Sequence, residues 1–301
     1  MPPSDTFLPL SFAKFGNCVE GQGGAARPAM RIVGHRGASA VRPENTLSAF
    51  RHALDVCGAF EMDLQLTKTG EVLILHDETL RRTAKLKSFH NLPPDLLDTP
   101  VINLPLDAVQ ACEVGSWLSL EWAEEEAPLF CSALSLLRTS TADPHTFAEL
   151  KADTDDVESS YDRMLPTAAE SDVRKLGVTP QQLTWITFSR PLAMEMKERM
   201  PEYRVLLIGH AHSLEEAWTF ARACVDSNLD GVDLNAGDVV TKELVTWLHE
   251  RGKTVAVWVY RAPAVNDVEA VWDAMKLAGV DAFTSNLPDN IHKWTASFGQ
   301  A

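Results

Sequence analysis

Apolar positions along the chain follow two periods. Short runs that are continuously apolar or alternate with a period of two fall at residues 30–35, 59–66, 145–151, 183–188, 203–208, 230–234, 254–260 and 280–285, and they read as strands. Between most of them the period lengthens toward that of a helix. The stretch after Glu44-Asn45 sets Leu47, Phe50, Arg51 and Leu54 on one face, and residues 241–251 do the same with Leu244, Trp247 and Leu248. Setting aside a return strand at 71–75, the pattern predicts eight parallel strands alternating with helices. That is the count of a closed (β/α)₈ TIM barrel in the α/β class. A doubly wound sheet is the weaker alternative. No GxGxxG follows the first strand, and candidate chemistry recurs after several strands rather than at one switch point.

One pair of strands departs from the parallel rhythm. Residues 59–66 place Glu61, Asp63 and Gln65 on one face and Met62, Leu64 and Leu66 on the other. Only Thr67-Lys68-Thr69-Gly70 separates this strand from the apolar run at 71–75. So short a link suits an antiparallel hairpin, because a parallel crossover needs roughly a dozen residues. A turn centred on Lys68 and Thr69 sets Glu61 opposite His76, with Cβ atoms ~4.5–5.5 Å apart.

Residues 81–128 break the alternation with five prolines, a short helical patch at 106–113 and the stretch from Gly115 to Trp122. This length of connection reads as an insertion over the barrel mouth, where Trp117 and Trp122 either line a pocket or pack the insertion onto the barrel. Residues 1–29 read as a flexible tail, having neither a basic start nor an apolar core of the kind a secretory signal carries. The remaining residues, 30–301, form the barrel domain.

Composition narrows the partners. Asp and Glu outnumber Lys and Arg 42 to 27, for a net charge of -15. This disfavours nucleic acid and anionic membrane surfaces, so an anionic substrate would have to be drawn by local cations. No apolar run is long enough to span a bilayer, and five cysteines without CxxC spacing read as reduced thiols in a cytoplasmic protein.

The chemistry-bearing residues stand at or near strand ends: His35 in Gly34-His35-Arg36-Gly37, Glu61 and Asp63 in Glu61-Met62-Asp63, His76 in His76-Asp77, and Glu149 and Lys151 in Glu149-Leu150-Lys151. In a barrel these ends share one mouth. Together with Pro43-Glu44-Asn45-Thr46, Thr67-Lys-Thr-Gly70 and Val257-Trp258-Val259, the ordered set resembles the glycerophosphodiester phosphodiesterases, barrel enzymes related to phosphatidylinositol-specific phospholipase C. The resemblance runs from about residue 30 to 290. It implies one bound divalent ion, Mg²⁺ or Ca²⁺, on Glu61, Asp63 and Glu149, with His35 and His76 as acid and base and Arg36 and Lys151 as phosphate contacts. It also points Trp258 inward to substrate. The implied reaction releases glycerol 3-phosphate and an alcohol through a cyclic phosphate formed by a neighbouring glycerol hydroxyl.

Physical chemistry agrees with those roles. Phosphodiester anions repel nucleophiles, so a site must neutralise charge as well as move protons. Hard cations prefer carboxylate oxygens, Arg offers a bidentate fork and Lys a point charge, and imidazole titrates near neutral pH. Asn45 is also a candidate helix cap. His210 and His212, after the strand at 203–208, would reach the same mouth. His52, His90, His145, His249 and His292 read as ordinary hydrogen-bonded histidines.

Three departures from the resembled pattern bear on the alcohol preference. Tyr260 stands where Asn is common, Ser285-Asn286 replaces Thr-Asp, and Leu129-Phe130-Cys131-Ser132 replaces a Glu pair. A lysophospholipase D-type enzyme and a catalytically silent phosphodiester-binding protein are the competing readings. An apolar lining contributed by the insertion would favour the former.

Overall fold

The computed structural model of the protein describes residues 29–87, 94–140, 143–151, 160–260 and 266–297. In chain order its strands are β1 (Arg31–Gly34), β2 (Ala59–Leu66), β3 (Val72–Ile74), β4 (Lys85–Leu86), β5 (Cys112–Glu113), β6 (His145–Leu150), β7 (Leu183–Thr187), β8 (Arg204–Gly209), β9 (Gly231–Asn235), β10 (Thr254–Trp258) and β11 (Ala282–Ser285). Strands β1, β2 and β6 through β11 are parallel, and the pairing of β1 with both β11 and β2 closes the ring. The fold is therefore the expected (β/α)₈ barrel, with β3 added antiparallel beside β2.

Side-chain alternation explains the closure. Ile32, Phe60, Met62, Leu64, Val205, Val232 and Phe283 face outward into a layer shared with the helices. Their neighbours Val33, Ala59, Phe147, Leu206, Ala256 and Ala282 fill the lumen, where small residues beside large ones suit a narrow cylinder. The first helix, α1 (Leu47–Cys57), returns the chain from β1 to β2 and stacks Phe50 on Phe60 with ring centroids 4.5 Å apart. Its N-cap is Thr46, whose hydroxyl accepts from the Ala49 amide at 3.3 Å, a contact worth about 1 kcal/mol. The capping role considered for Asn45 thus belongs to Thr46, and Asn45 is left for the site.

The hairpin register corrects one expectation. Leu64 pairs with Ile74, Gln65 with Leu73 and Leu66 with Val72, one residue away from the register that opposes Glu61 to His76. The reason is the turn. Thr67 and Glu71 still exchange a backbone bond, and the hydroxyls of Thr67 and Thr69 both donate to the Glu71 carboxylate. The loop proper is therefore Lys68-Thr69-Gly70, with Gly70 at a φ of 94°, a three-residue hairpin whose last position needs glycine. Such a slip would send His76 to the opposite face of a continued strand. Instead β3 stops at Ile74, and the chain bends at His76.

Beyond that bend, residues 94–128 carry short elements around a cluster of their own, including Leu75, Leu80, Leu96, Val101, Val109 and Val114. Trp117 donates its indole N–H to the Val114 carbonyl at 2.9 Å, and Arg42 lies over Trp122 at 4.7 Å from the ring centroid. Both tryptophans pack the insertion. The tail assigned to residues 1–29 falls, except for Ala29, outside the described residues, as does His90. Among the described residues, no helix is long and apolar enough to cross a membrane.

Candidate active site

The lumen face of β2 presents Glu61 and Asp63, and parallel pairing sets Glu149 of β6 directly beside Asp63. One oxygen from each of the three carboxylates lies within 4.8 Å of the others, all buried. Burial together with the neighbouring acids pushes Glu61 well above the ordinary carboxylate range. Glu149 is raised as well, through burial, although the adjacent Lys151 opposes this. Asp63 goes the other way: burial would raise it, but the charges of Lys151 and Arg36 hold it well below. Lys151 Nζ is 2.8 Å from Asp63 and 2.6 Å from Glu149, and Arg36 Nε is 3.4 Å from Asp63. The Glu61 Oε1 atom is buried without a hydrogen-bond partner. A set of hard oxygens with one atom unsatisfied fits a divalent cation of the Mg²⁺ or Ca²⁺ kind.

The loop after β1 is shaped by close approach to α1. A Cβ on Gly34 would stand 2.7 Å from the Gly37 carbonyl, and one on Gly37, at a φ of +79°, would stand 2.6 Å from the Ala49 backbone. With both glycines in place the turn tightens until the Arg36 backbone N–H donates to Glu61 at 2.8 Å. Arg36 and Asn45 hold left-handed backbones at φ of 54° and 59°, a conformation that persists only where surrounding contacts over-determine it. Those contacts are present. Arg36 donates to Glu44 at 2.9 Å, and the Asn45 amide donates to Asp63 at 2.7 Å.

His35 is buried, with Nε2 at 4.0 Å from Glu61 and Nδ1 at 2.9 Å from the Asn286 side chain. Burial, reinforced by the Arg36 charge, lowers its pKa to about 3, so the ring is neutral at working pH. His76 is more open, and its Nδ1–H donates to Asp77 at 2.7 Å. Burial alone would raise Asp77, but hydrogen bonds from His76 and Arg82 hold it below the usual carboxylate range. Arg82 donates to Asp77 at 2.6 Å and to Glu44 at 2.7 and 2.9 Å, so the insertion's first residues brace the bend that carries His76.

These groups open onto one cavity of about 400 Å³. It is lined by His35, Arg36, Glu61, His76, Glu149, Lys151 and Trp258, with Asp63 buried beneath Lys151. Of the residues the sequence offered as acid and base, phosphate contacts, metal ligands and inward tryptophan, all but Asp63 line this cavity, and Asp63 pairs with the lining residue Lys151. The opposite wall is aromatic: Trp258 meets Tyr260 edge to face at 5.1 Å and Phe188 at 6.0 Å. His210 stands behind that wall, hydrogen-bonded to the Tyr260 hydroxyl, with its ring tilted 47° to that of His212 at 4.2 Å between centroids. Three of the histidines read as ordinary have ordinary partners: His52 pairs with Asp289, His249 with Asp281, and His145 binds Gln181 and Thr184.

Sequence reasoning missed Arg82 and Asp233. Asp233 lies on the cavity floor, 1% exposed, with Oδ1 lacking a hydrogen-bond partner, and burial plus the Glu149 charge push it up to about 8. Alternation along the predicted strand at 230–234 already points it inward. A carboxyl that gains proton affinity on folding stabilises the native state at low pH and loses that contribution as pH rises through the native value. In chelated protein, Asp233→Asn should therefore flatten the loss of stability between pH 4 and 9, read by urea denaturation at a series of pH values. An unchanged slope would show that Asp233 ionises freely.

Comparison with known proteins follows the same lines. The model of the glycerophosphoryl diester phosphodiesterase family matches residues 35–290. The chain belongs to this family. Among curated members, the glycerophosphodiester phosphodiesterase of Caldanaerobacter subterraneus subsp. tengcongensis is 30% identical over 107 residues, covering 35% of this chain and 40% of the relative. The Bacillus subtilis enzyme of the same name is 29% identical over 123 residues, covering 40% and 36%. The match thus spans well under half the length of either relative. A solved glycerophosphodiester phosphodiesterase from Agrobacterium tumefaciens superposes with a TM-score of 0.68 at 21% identity, covering 88% of this chain and 99% of that one. An Oleispira antarctica phosphodiesterase, solved with its product sn-glycerol-3-phosphate, gives 0.69 at 20% identity, with 88% and 96% covered. At these identities the structural likeness shows the barrel fold that members of the glycerophosphoryl diester phosphodiesterase family share with this chain.

Proposed function

We propose that the protein is a metal-dependent hydrolase of glycerophosphodiesters, releasing glycerol 3-phosphate and an alcohol. The observation that carries this is the convergence on one cavity of a buried tricarboxylate cluster, two cations and two histidines. Family membership supports the same substrate class. Glu61, Asp63 and Glu149 would hold a single Mg²⁺ or Ca²⁺, which would supply positive charge against the phosphate.

The chain's own residues divide the remaining work. Arg36 and Lys151 contact phosphate oxygens. Neutral His35 accepts the proton of the attacking glycerol hydroxyl. His76, its ring oriented by the Asp77 carboxylate 2.7 Å from Nδ1, gives a proton to the leaving alcohol oxygen. The resulting cyclic phosphate is opened by water with the two roles reversed. Lys151→Ala should raise KM and lower kcat together, since it removes a phosphate contact while also unbalancing Asp63 and Glu149. Unchanged steady-state constants would place that side chain outside the pocket.

The insertion contributes polar Arg82 to the cavity, whereas its tryptophans pack elsewhere. This favours a glycerophosphodiester over a lysolipid. Glycerophosphocholine, glycerophosphoethanolamine, glycerophosphoinositol and a lysophospholipid, each assayed for released phosphomonoester with Mg²⁺ and with Ca²⁺, test the reading. Turnover of the lysolipid alone would transfer the protein to the lysophospholipase D type, and tight binding without turnover would make it a sensor. We place the protein in the cytoplasm, a reading supported by the free thiols of Cys57, Cys112, Cys131 and Cys224.

A further inference from the structure

His35 has two possible neutral forms, and only the one with Nε2 bare can accept a proton in the cavity. The choice is made on the far side of the ring. Asn286 faces His35 Nδ1 at 2.9 Å, and its Nδ2 donates to the Tyr260 carbonyl at 2.7 Å. A carbonyl is purely an acceptor, so the amide's nitrogen end is committed there and its oxygen end must face the imidazole. The Ser39 hydroxyl, a second donor toward the same oxygen at 3.5 Å, agrees with that orientation. Nδ1 must then carry the hydrogen, because a bare Nδ1 would set two lone pairs against each other at 2.9 Å.

The amide is itself held. Its backbone N–H donates to buried Asp267 at 2.8 Å, and Asp267 also accepts from the Ser285 hydroxyl at 2.9 Å and the Trp272 indole at 3.0 Å. We infer that Asn286 is a positioning residue that locks His35 in the Nδ1–H form, leaving Nε2 bare toward the reacting atoms. This rests on the reading of His35 as the group that accepts the substrate proton. It also gives a reason for the Ser285-Asn286 departure noted in the sequence. A carboxylate at this position would set an oxygen against the Tyr260 carbonyl and add a negative charge near the three acids of the site, whereas an amide satisfies both neighbours.

The test reads the ring directly. In ¹⁵N-labelled, metal-free protein above neutral pH, long-range ¹H–¹⁵N correlations of His35, assigned by their loss in His35→Gln, should show a protonated Nδ1 and a bare Nε2. Asn286→Ala should abolish that preference and lower kcat by about 10- to 100-fold at unchanged KM. This is less than the ~10⁴-fold that a wrong tautomer costs a serine protease, because an untethered ring still samples the productive form. A bare Nδ1 in the unsubstituted protein would overturn the inference, as would an Asn286→Ala variant that keeps both tautomer and kcat. The unsubstituted spectrum decides even if the variant does not fold. Absence of any phosphodiesterase turnover would instead defeat the functional reading while leaving the tautomer measurable.

Discussion

His76→Ala is expected to lower kcat for glycerophosphodiester cleavage by ~10² to 10⁴-fold, the range that a positioned general acid or base contributes. The ring sits in a bend beyond β3 and is part-exposed, with 35% of its side-chain surface accessible, so removing it empties no core volume and the thermal unfolding midpoint should hardly move. His35 differs because it is buried between Asn286 and Glu61. His35→Gln, which keeps most of the volume, is the cleaner variant there and should cost a similar factor. The two rings should also separate by substrate. A diester whose alcohol is a good leaving group needs no proton at its departing oxygen, so in single-turnover release of that alcohol it should rescue His76→Ala and leave His35→Gln slow. Equal rescue of both, or of neither, would overturn the division of labour between them.

Chelation should abolish turnover, and added Mg²⁺ or Ca²⁺ should restore it. The structural ground is the energy of the tricarboxylate cluster without a cation: Glu61 and Glu149 are both pushed up by burial and by the Asp63 charge, and Lys151 spans Asp63 and Glu149. A cation that binds only the folded chain should raise stability by about 2.7 kcal/mol at a concentration 100 times its Kd, a gain readable as a shift in thermal midpoint without any assay of activity. The sign with pH follows from the raised carboxyls. Binding must displace protons that the native chain holds more tightly than usual, so affinity should weaken as pH falls through those raised values. Glu61→Gln should remove most of the midpoint shift. Activity that survives exhaustive chelation, or a Glu61→Gln protein that still gains the full shift, would remove the metal from the mechanism.

How much of this could be read from residues alone depends on the distance over which each feature is set. Alternation along 59–66 already put Glu61 and Asp63 on one face, and the same alternation in 145–151 oriented Glu149 and Lys151 together. Trp258 needed the family pattern to choose its side. Loop geometry was less legible: a two-residue and a three-residue turn differ by one position, and the hydroxyls of Thr67 and Thr69 on Glu71 decided between them. Arg82 escaped notice because nothing local ties it to Glu44, 38 residues earlier.

The order of strands and the shared inward face of Glu61 and Asp63 on one strand and of Glu149 on another were determined by the sequence itself. Periodicity is a property of consecutive residues, and a closed parallel barrel brings all strand ends of one kind to the same side. Only the tertiary structure decided which partner each group meets. Asn286 reaches His35 from 251 residues away, Lys151 neutralises Asp63 across the β2–β6 pair, and the bend at His76 undoes a register slip. Such pairings depend on how a ring of strands closes and where each connecting loop turns, which no single stretch of chain encodes.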